Sequence, residues 1–216
     1  RENYDDPWWT PLPFTLPMPK KKIALLKKIE GLKIDPIISA ELDIVAKRLE
    51  DSGWVIEEPQ APNFQEAAKF QATLWLGEFR RTGGEAITKE NDPDSNFIYS
   101  QMSRRCPDTS LEKFMDSLQQ RARISREWNK FFDQYPIILC PITGDVPFPD
   151  LKDLESEESF DLVFDSMLPQ IAPPYMGLPG LSFATSQTKQ KIPLGVQFIS
   201  RKFREDLSLN VGYDLE

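Results

Sequence analysis

The apolar positions of this chain change period several times, and each change marks an element. Ile23-Ala24-Leu25-Leu26 is a short continuous apolar run after three lysines, the length of one buried strand. Ile38, Leu42, Val45 and Leu49 then recur at i, i+4, i+7 and i+11, one apolar stripe of a helix. Asp35 is placed to accept from orphan amides at its start, Pro36 suits the first helical position, and Gly53 supplies a left-handed stop. Trp54-Val55-Ile56 is again a short apolar run. Strand, helix and strand within about 35 residues predict a βαβ crossover and parallel pairing.

Asn63 with Glu66 three residues later resembles a capping box, opening a second helix through Phe64, Ala67, Phe70, Leu74 and Trp75. The stretch from Thr82 to Cys106 is polar and turn-rich and reads as a surface excursion. Thr109 with Glu112 opens a third helix, whose stripe of Leu111, Met115, Leu118, Ala122, Ser125, Trp128 and Phe132 keeps helical spacing for about seven turns. Pro136-Ile137-Ile138-Leu139-Cys140 is continuously apolar, the pattern of a strand buried on both faces at the centre of a helix-covered sheet. Pro141 to Phe160 is acidic and proline-bearing and reads as a mobile loop, with a short helix from Phe160 to Leu168. Leu181–Ala184 and Gly195–Ile199 predict two late strands joined by a polar turn, and Phe203 to Leu215 has helical spacing. The predicted class is α/β: part of a mixed, largely parallel sheet covered by helices on both faces.

Ahead of these elements, Asp6 to Pro19 holds five prolines with Trp8, Trp9 and Phe14. Proline at that density blocks helix and interior strand alike, so residues 1–22 read as an extended linker arm and 23–216 as the α/β domain. Hydrophobic residues make up 40% of the 216, enough for a core. The net charge of −8, from 26 basic and 34 acidic side chains, argues against a nucleic acid or an anionic membrane as partner. The longest apolar run, Pro136 to Ile142, is far short of the roughly 20 residues that cross a bilayer. No secretory signal is visible, and two cysteines are too few for a disulfide framework; both point to a reducing, cytoplasmic setting.

The chain has no histidine, which excludes Ser-His-Asp and Cys-His catalysis and His-ligated metals. It also lacks a Walker pattern and GxGxxG, so no cofactor is expected.

The strand-Pro step Ile138-Leu139-Cys140-Pro141, the turn Tyr175-Met176-Gly177-Leu178-Pro179-Gly180 and the segment Ile192-Pro193-Leu194-Gly195-Val196-Gln197-Phe198-Ile199 occur in a familiar order. The series resembles the C-terminal half of the amidase signature family, serine hydrolases that cleave carboxamides. Asp5-Asp6-Pro7 is similar to the linker after the family's signature region, and Ile23 to Gly53 to the strand–helix unit that follows it. Gly177 and Gly180 would free the backbone around Pro179, and Gly195 would admit a close neighbour. Pro174 and Ala184-Thr185-Ser186 depart from the family's pattern.

The resemblance implies a Ser–cis-Ser–Lys triad in a glycine-serine loop, with backbone amides as oxyanion hole. No such loop occurs in this sequence, so no catalytic residue is carried over. The expectation is therefore the C-terminal part of an amidase, a fragment with its front half absent and inactive alone. Its partners would be a small amide substrate and an N-terminal catalytic half, in the same or a separate chain. Pro141, Ile142 and Thr143 follow the central strand, where ligands of such sheets gather, and with Met176 and Leu178 are the expected substrate-side lining. Trp8, Trp9, Trp54 and Phe64 would be apolar surface left open, giving self-association or a homo-oligomer. The alternatives are a non-catalytic amidase-like binding or assembly subunit, and a carboxylate hydrolase using Asp145, Asp150, Asp153 or Glu155.

Overall fold

A computed structural model describes residues 16, 17 and 19–216 of the chain. Most of the arm, including Trp8 and Trp9, lies outside the described residues. The first unit forms as its sequence dictates. Strand β1 (Lys22–Leu25) leads to helix α1 (Pro36–Asp51), where Asp35 Oδ1 accepts from the Ile37 amide at 2.7 Å. Gly53 follows at φ +85°, and β2 (Val55–Glu57) returns parallel to β1. Helix α2 (Phe64–Thr82) is capped by the Asn63 side chain, which accepts from the Glu66 amide at 3.0 Å. The box is half made, because the Glu66 carboxylate turns instead to Arg123.

Where a surface excursion is expected, the chain forms two helices, α3 (Gly84–Glu90) and α4 (Pro93–Arg105), the latter opened by Asp92 and Pro93. Helix α5 (Leu111–Gln134) is capped by Ser110. Its expected stripe fails in the first half: Leu111, Met115 and Leu118 face solvent, while Ser117, Ile124, Trp128 and Phe132 are buried. Strand β3 (Ile137–Pro141) is buried throughout and sits at the centre of the sheet order β2-β1-β3-β5-β4. A 3-10 turn at Lys152–Leu154 interrupts the loop after it, and two helices, α6 (Glu157–Ser166) and α7 (Leu168–Met176), replace the single short one. The hairpin β4 (Gly180–Gln187) and β5 (Pro193–Ser200) precedes α8 (Glu205–Leu215).

The sheet corrects two expectations. β1 pairs parallel with β2 and β3, but β3–β5 and β5–β4 are antiparallel, so the sheet is mixed rather than largely parallel. Nor does the sheet lack cover on one side, as an absent front half would leave it: helices pack on both faces of its central strands, while the edge strands β2 and β4 keep exposed residues. The period of two along each strand decides this. Ala24, Ile138, Cys140 and Ile199 join Phe64, Trp128 and Tyr175 of α2, α5 and α7 in one layer. Ile23, Leu25, Ile137, Leu139 and Phe198 join Leu42, Val45, Leu49 and Val211 of α1 and α8 in the other. Trp54 and Phe64, expected as open surface, are 4% and 2% exposed, which removes their basis for self-association.

Proline distribution explains a further contact. Pro173 and Pro174 lie inside α7 and bring no amide hydrogen, so the carbonyls of Pro169 and Gln170 lose their helical donors. The buried Gln197 of β5 supplies one replacement, its Nε2 donating to the Pro169 carbonyl at 3.0 Å. Gly177 closes α7 at φ +66°, as expected, but Gly180 has no left-handed backbone and only begins β4.

Candidate functional site

The C-terminal end of β3 is where a βαβ sheet offers backbone and side chains to a ligand. Pro141 is buried, opposite Val196 in register, and beyond it the chain leaves the sheet. The loop that follows is braced from both sides. The Gly144 amide donates to the Ser166 carbonyl at the end of α6, and the Gly144 carbonyl accepts from Asp35 at the start of α1, both at 2.8 Å. A side chain at 144 would collide with the Lys33 carbonyl and Leu32. Ile142 gives its carbonyl to Gln170 Nε2 at 3.1 Å. Its Cδ1 lies 3.2 Å from where a Cβ at Gly195 would stand, and Phe183 O 2.7 Å from the same point. Gly195 therefore admits both neighbours, as its place in the strand implies.

Thr143 is half-buried, and its hydroxyl donates to the Asp145 carbonyl at 2.6 Å. Asp145 Oδ1 accepts from the Val146 amide at 2.8 Å. The result is a rigid ledge with a hydroxyl, a carboxylate and the Gln170 amide near its edge. It can orient a polar ligand by hydrogen bonds.

The structure brings Pro141, Ile142 and Thr143 together and separates Met176 and Leu178 from them. Gly180 stands opposite Ile199, which stands opposite Ile138, three residues back along β3 from Pro141. At about 3.3 Å per residue the start of β4, just after Leu178, is some 10 Å from Pro141 along the strands. Met176 is 5% exposed in the core, and Leu178 packs against the same cluster. Sequence reasoning placed Asp35 only as a helix cap and missed Gly144 and Gln170. The Asp-Pro step at 35–36 is a visible signal for the first, but nothing local marks the other two.

Electrostatics weigh against one member of the carboxylate alternative, Glu155. The Lys152 ammonium holds the Glu155 carboxyl below its ordinary range, the reverse of what a general acid needs. Burial pushes the Cys140 thiol up to about 12, with the Gln197 amide opposing weakly, so it is an inert core group. Among the described residues no three His, Cys, Asp or Glu side chains are grouped to hold a metal ion, and no helix is long and apolar enough to cross a membrane.

Comparison with known proteins adds three findings. The family model described as Amidase matches residues 15–209. An indoleacetamide hydrolase of Bradyrhizobium diazoefficiens is 28% identical over 214 residues, covering 98% of this chain and 41% of that protein. The solved 6-aminohexanoate cyclic dimer hydrolase superposes with a TM-score of 0.78 at 14% identity, over 100% of this chain and 50% of that one, and a fatty acid amide hydrolase with 0.68 at 14%, over 95% and 41%. The chain thus spans about half the length, or less, of these relatives.

These findings correct the expectation of a match confined to a C-terminal portion. The family model matches residues 15–209, through β1, α1 and the helices as well as the hairpin. The expectation of a fragment, inactive for want of a front half and in need of a separate N-terminal catalytic half, and the assembly-subunit alternative with it, give way to a family match over residues 15–209 of this chain.

Proposed function

Because the chain belongs to the amidase family, we propose that it serves the hydrolysis of carboxamide carbon–nitrogen bonds, water adding across the bond to give a carboxylic acid and ammonia or an amine. The observation that carries this reading is the family match over residues 15–209. The ledge at Pro141, Ile142 and Thr143 forms one wall of the amide pocket, with Gln170 and the Thr143 hydroxyl as hydrogen-bonding groups. The similarity to an indoleacetamide hydrolase favours a small primary amide on an apolar body. We assign no catalytic role to any serine or lysine of this chain. Free cysteines at 106 and 140 fit a cytoplasmic setting.

The test uses the protein at the full length its gene encodes. Ammonia release is followed with indole-3-acetamide, benzamide and hexanamide, alone and after a serine-reactive phosphonate. Turnover of at least one amide is expected, with Thr143→Val and Gln170→Ala raising KM several-fold more than they lower kcat. Folded protein that hydrolyses none of the three overturns the reading.

A further inference from the structure

A groove of about 650 Å³ opens on the helical side of the molecule, between α2, the turn linking α4 to α5, and the junction of α6 with α7. That is the size of a site for a small organic molecule. Its floor is apolar, and Phe70, Trp75 and Phe164 supply aromatic walls, Trp75 being half exposed at the mouth. It is distinct from the ledge at the end of β3. Leu168 and Ile171 of α7 face the groove, whereas Gln170 between them bonds to Ile142.

Charge decides what fits. Most ions around the mouth are already matched: Arg105 holds Asp161 and Asp165, and Asp108 lies 3.9 Å from Arg80. The ammonium groups of Lys69 on α2 and Lys113 on α5 have no hydrogen bond or ion pair among the described residues. Asp116, one turn from Lys113, is the only carboxylate lining the groove in the same state. The unpaired charge is therefore two cations against one anion, above an aromatic cleft.

We propose that this groove is a binding site for an amphipathic monocarboxylate, its aromatic body against Trp75 and Phe164 and its carboxylate between Lys69 and Lys113. A neutral amide of the same shape gains the apolar contacts but not the ion pairs, so the site selects acid over amide. It does not depend on the hydrolytic reading, because it shares no residue with the ledge.

Cys106 lines the same groove, half-buried, with its sulfur 3.9 Å from the Thr73 hydroxyl, and serves as the reporter. Alkylation of Cys106 by iodoacetamide is followed by peptide mass spectrometry, with the buried Cys140 as internal reference. In the full-length protein, 2-naphthylacetate is expected to slow Cys106 alkylation at least fivefold, and 2-naphthylacetamide to require a tenfold higher concentration. Lys69→Glu with Lys113→Glu abolishes that difference, and Ala72→Trp, which fills the cleft, abolishes protection by either ligand. The charge reversals are at exposed positions and circular dichroism verifies their fold, so they decide the question even if Ala72→Trp does not fold. No protection by millimolar naphthylacetate, equal protection by acid and amide, or acid protection unchanged by the double charge reversal overturns the proposal. Any of these outcomes leaves amide turnover at the ledge unaffected.

Discussion

Gln197 shows how one side chain repairs a local fault of the backbone. Two consecutive prolines inside α7 leave the Pro169 and Gln170 carbonyls without their helical donors, and the amide of Gln197 serves the first of them across the interface with β5. Gln197→Leu leaves the Pro169 carbonyl buried without a donor and is expected to cost about 1–3 kcal/mol in urea unfolding. Gln197→Glu should be worse than the leucine, since an acceptor then faces an acceptor. Gly195→Ala forces a methyl to within 2.7 Å of the Phe183 carbonyl, and a loss of about 1–3 kcal/mol in the same assay is expected. The sequence makes Gly195 legible as a point of close approach and the Pro-x-Gly-x-Gln order recognisable. It does not disclose what Gln197 holds, because its partner lies 28 positions away and is created by missing amides rather than by a present side chain.

Among the elements, those with both a cap and a stripe were readable: α1 with Asp35, Pro36 and Gly53, and α2 with Asn63. Helix α4 carries the same cap signal in Asp92-Pro93, yet buries no residue, so hydrophobic period could not reveal it. It is held by half-buried contacts, such as Tyr99 against Phe79 with ring centroids 5.7 Å apart, and by charge. Arg104 and Arg105 reach Glu157, Asp161 and Asp165 of α6, and the Arg105 guanidinium lies 4.6 Å from the Phe164 ring centroid. Arg105→Ala removes the ion pairs and the cation–π contact together and should cost about 1–2 kcal/mol. Hydrogen exchange would show the loss as faster exchange across 93–105 with little change in β1 or β3. In α5 the error had the opposite origin. The face on the core carries Phe114 and Ser117 in the first half and Ile124, Trp128 and Phe132 in the second, so a stripe phased on Leu111, Met115 and Leu118 assigns those residues to a face that solvent occupies. That Met176 and Leu178 lie apart from Pro141 was hidden for a related reason. A tight turn beside a strand looks the same in sequence whichever end of the sheet it serves.

The whole molecule has an unusual titration profile, because it contains no histidine and, among the described residues, the perturbed carboxylates shift one way. Burial tends to raise the Asp161 carboxyl, but Arg105 and Arg104 outweigh it and hold it low. Arg204 lowers Asp206, and Lys21 with the Trp54 indole lowers Asp214. A carboxyl whose folded pKa lies below its unfolded value near 3.9 contributes stability that is present above that value and is lost as pH falls through the folded pKa. The melting temperature is therefore expected to be flat between pH 6 and 8, with no side chain of ordinary pKa in that window, and to fall below about pH 4. A scanning-calorimetry series across pH 3–8 checks both limbs; a step near pH 6.5 would contradict the account. The α/β class and the central burial of β3 were legible at this scale from a continuous apolar run. The direction of its second neighbour was not, because parallel and antiparallel partners of a doubly buried strand demand the same residues.

That central strand also imposes an order on self-assembly. β4 and β5 meet through a short connection, whereas Ile23 and Ile137, partners across β1 and β3, are more than half the chain apart. Closing so long a span sacrifices entropy before any ladder bond returns it, and such contacts form slowly. On a ribosome, β1, α1 and β2 emerge long before β3 exists to receive them. The late hairpin zips at once, while the early unit waits, and pulse-labelling during refolding should find β4 and β5 protected ahead of β1.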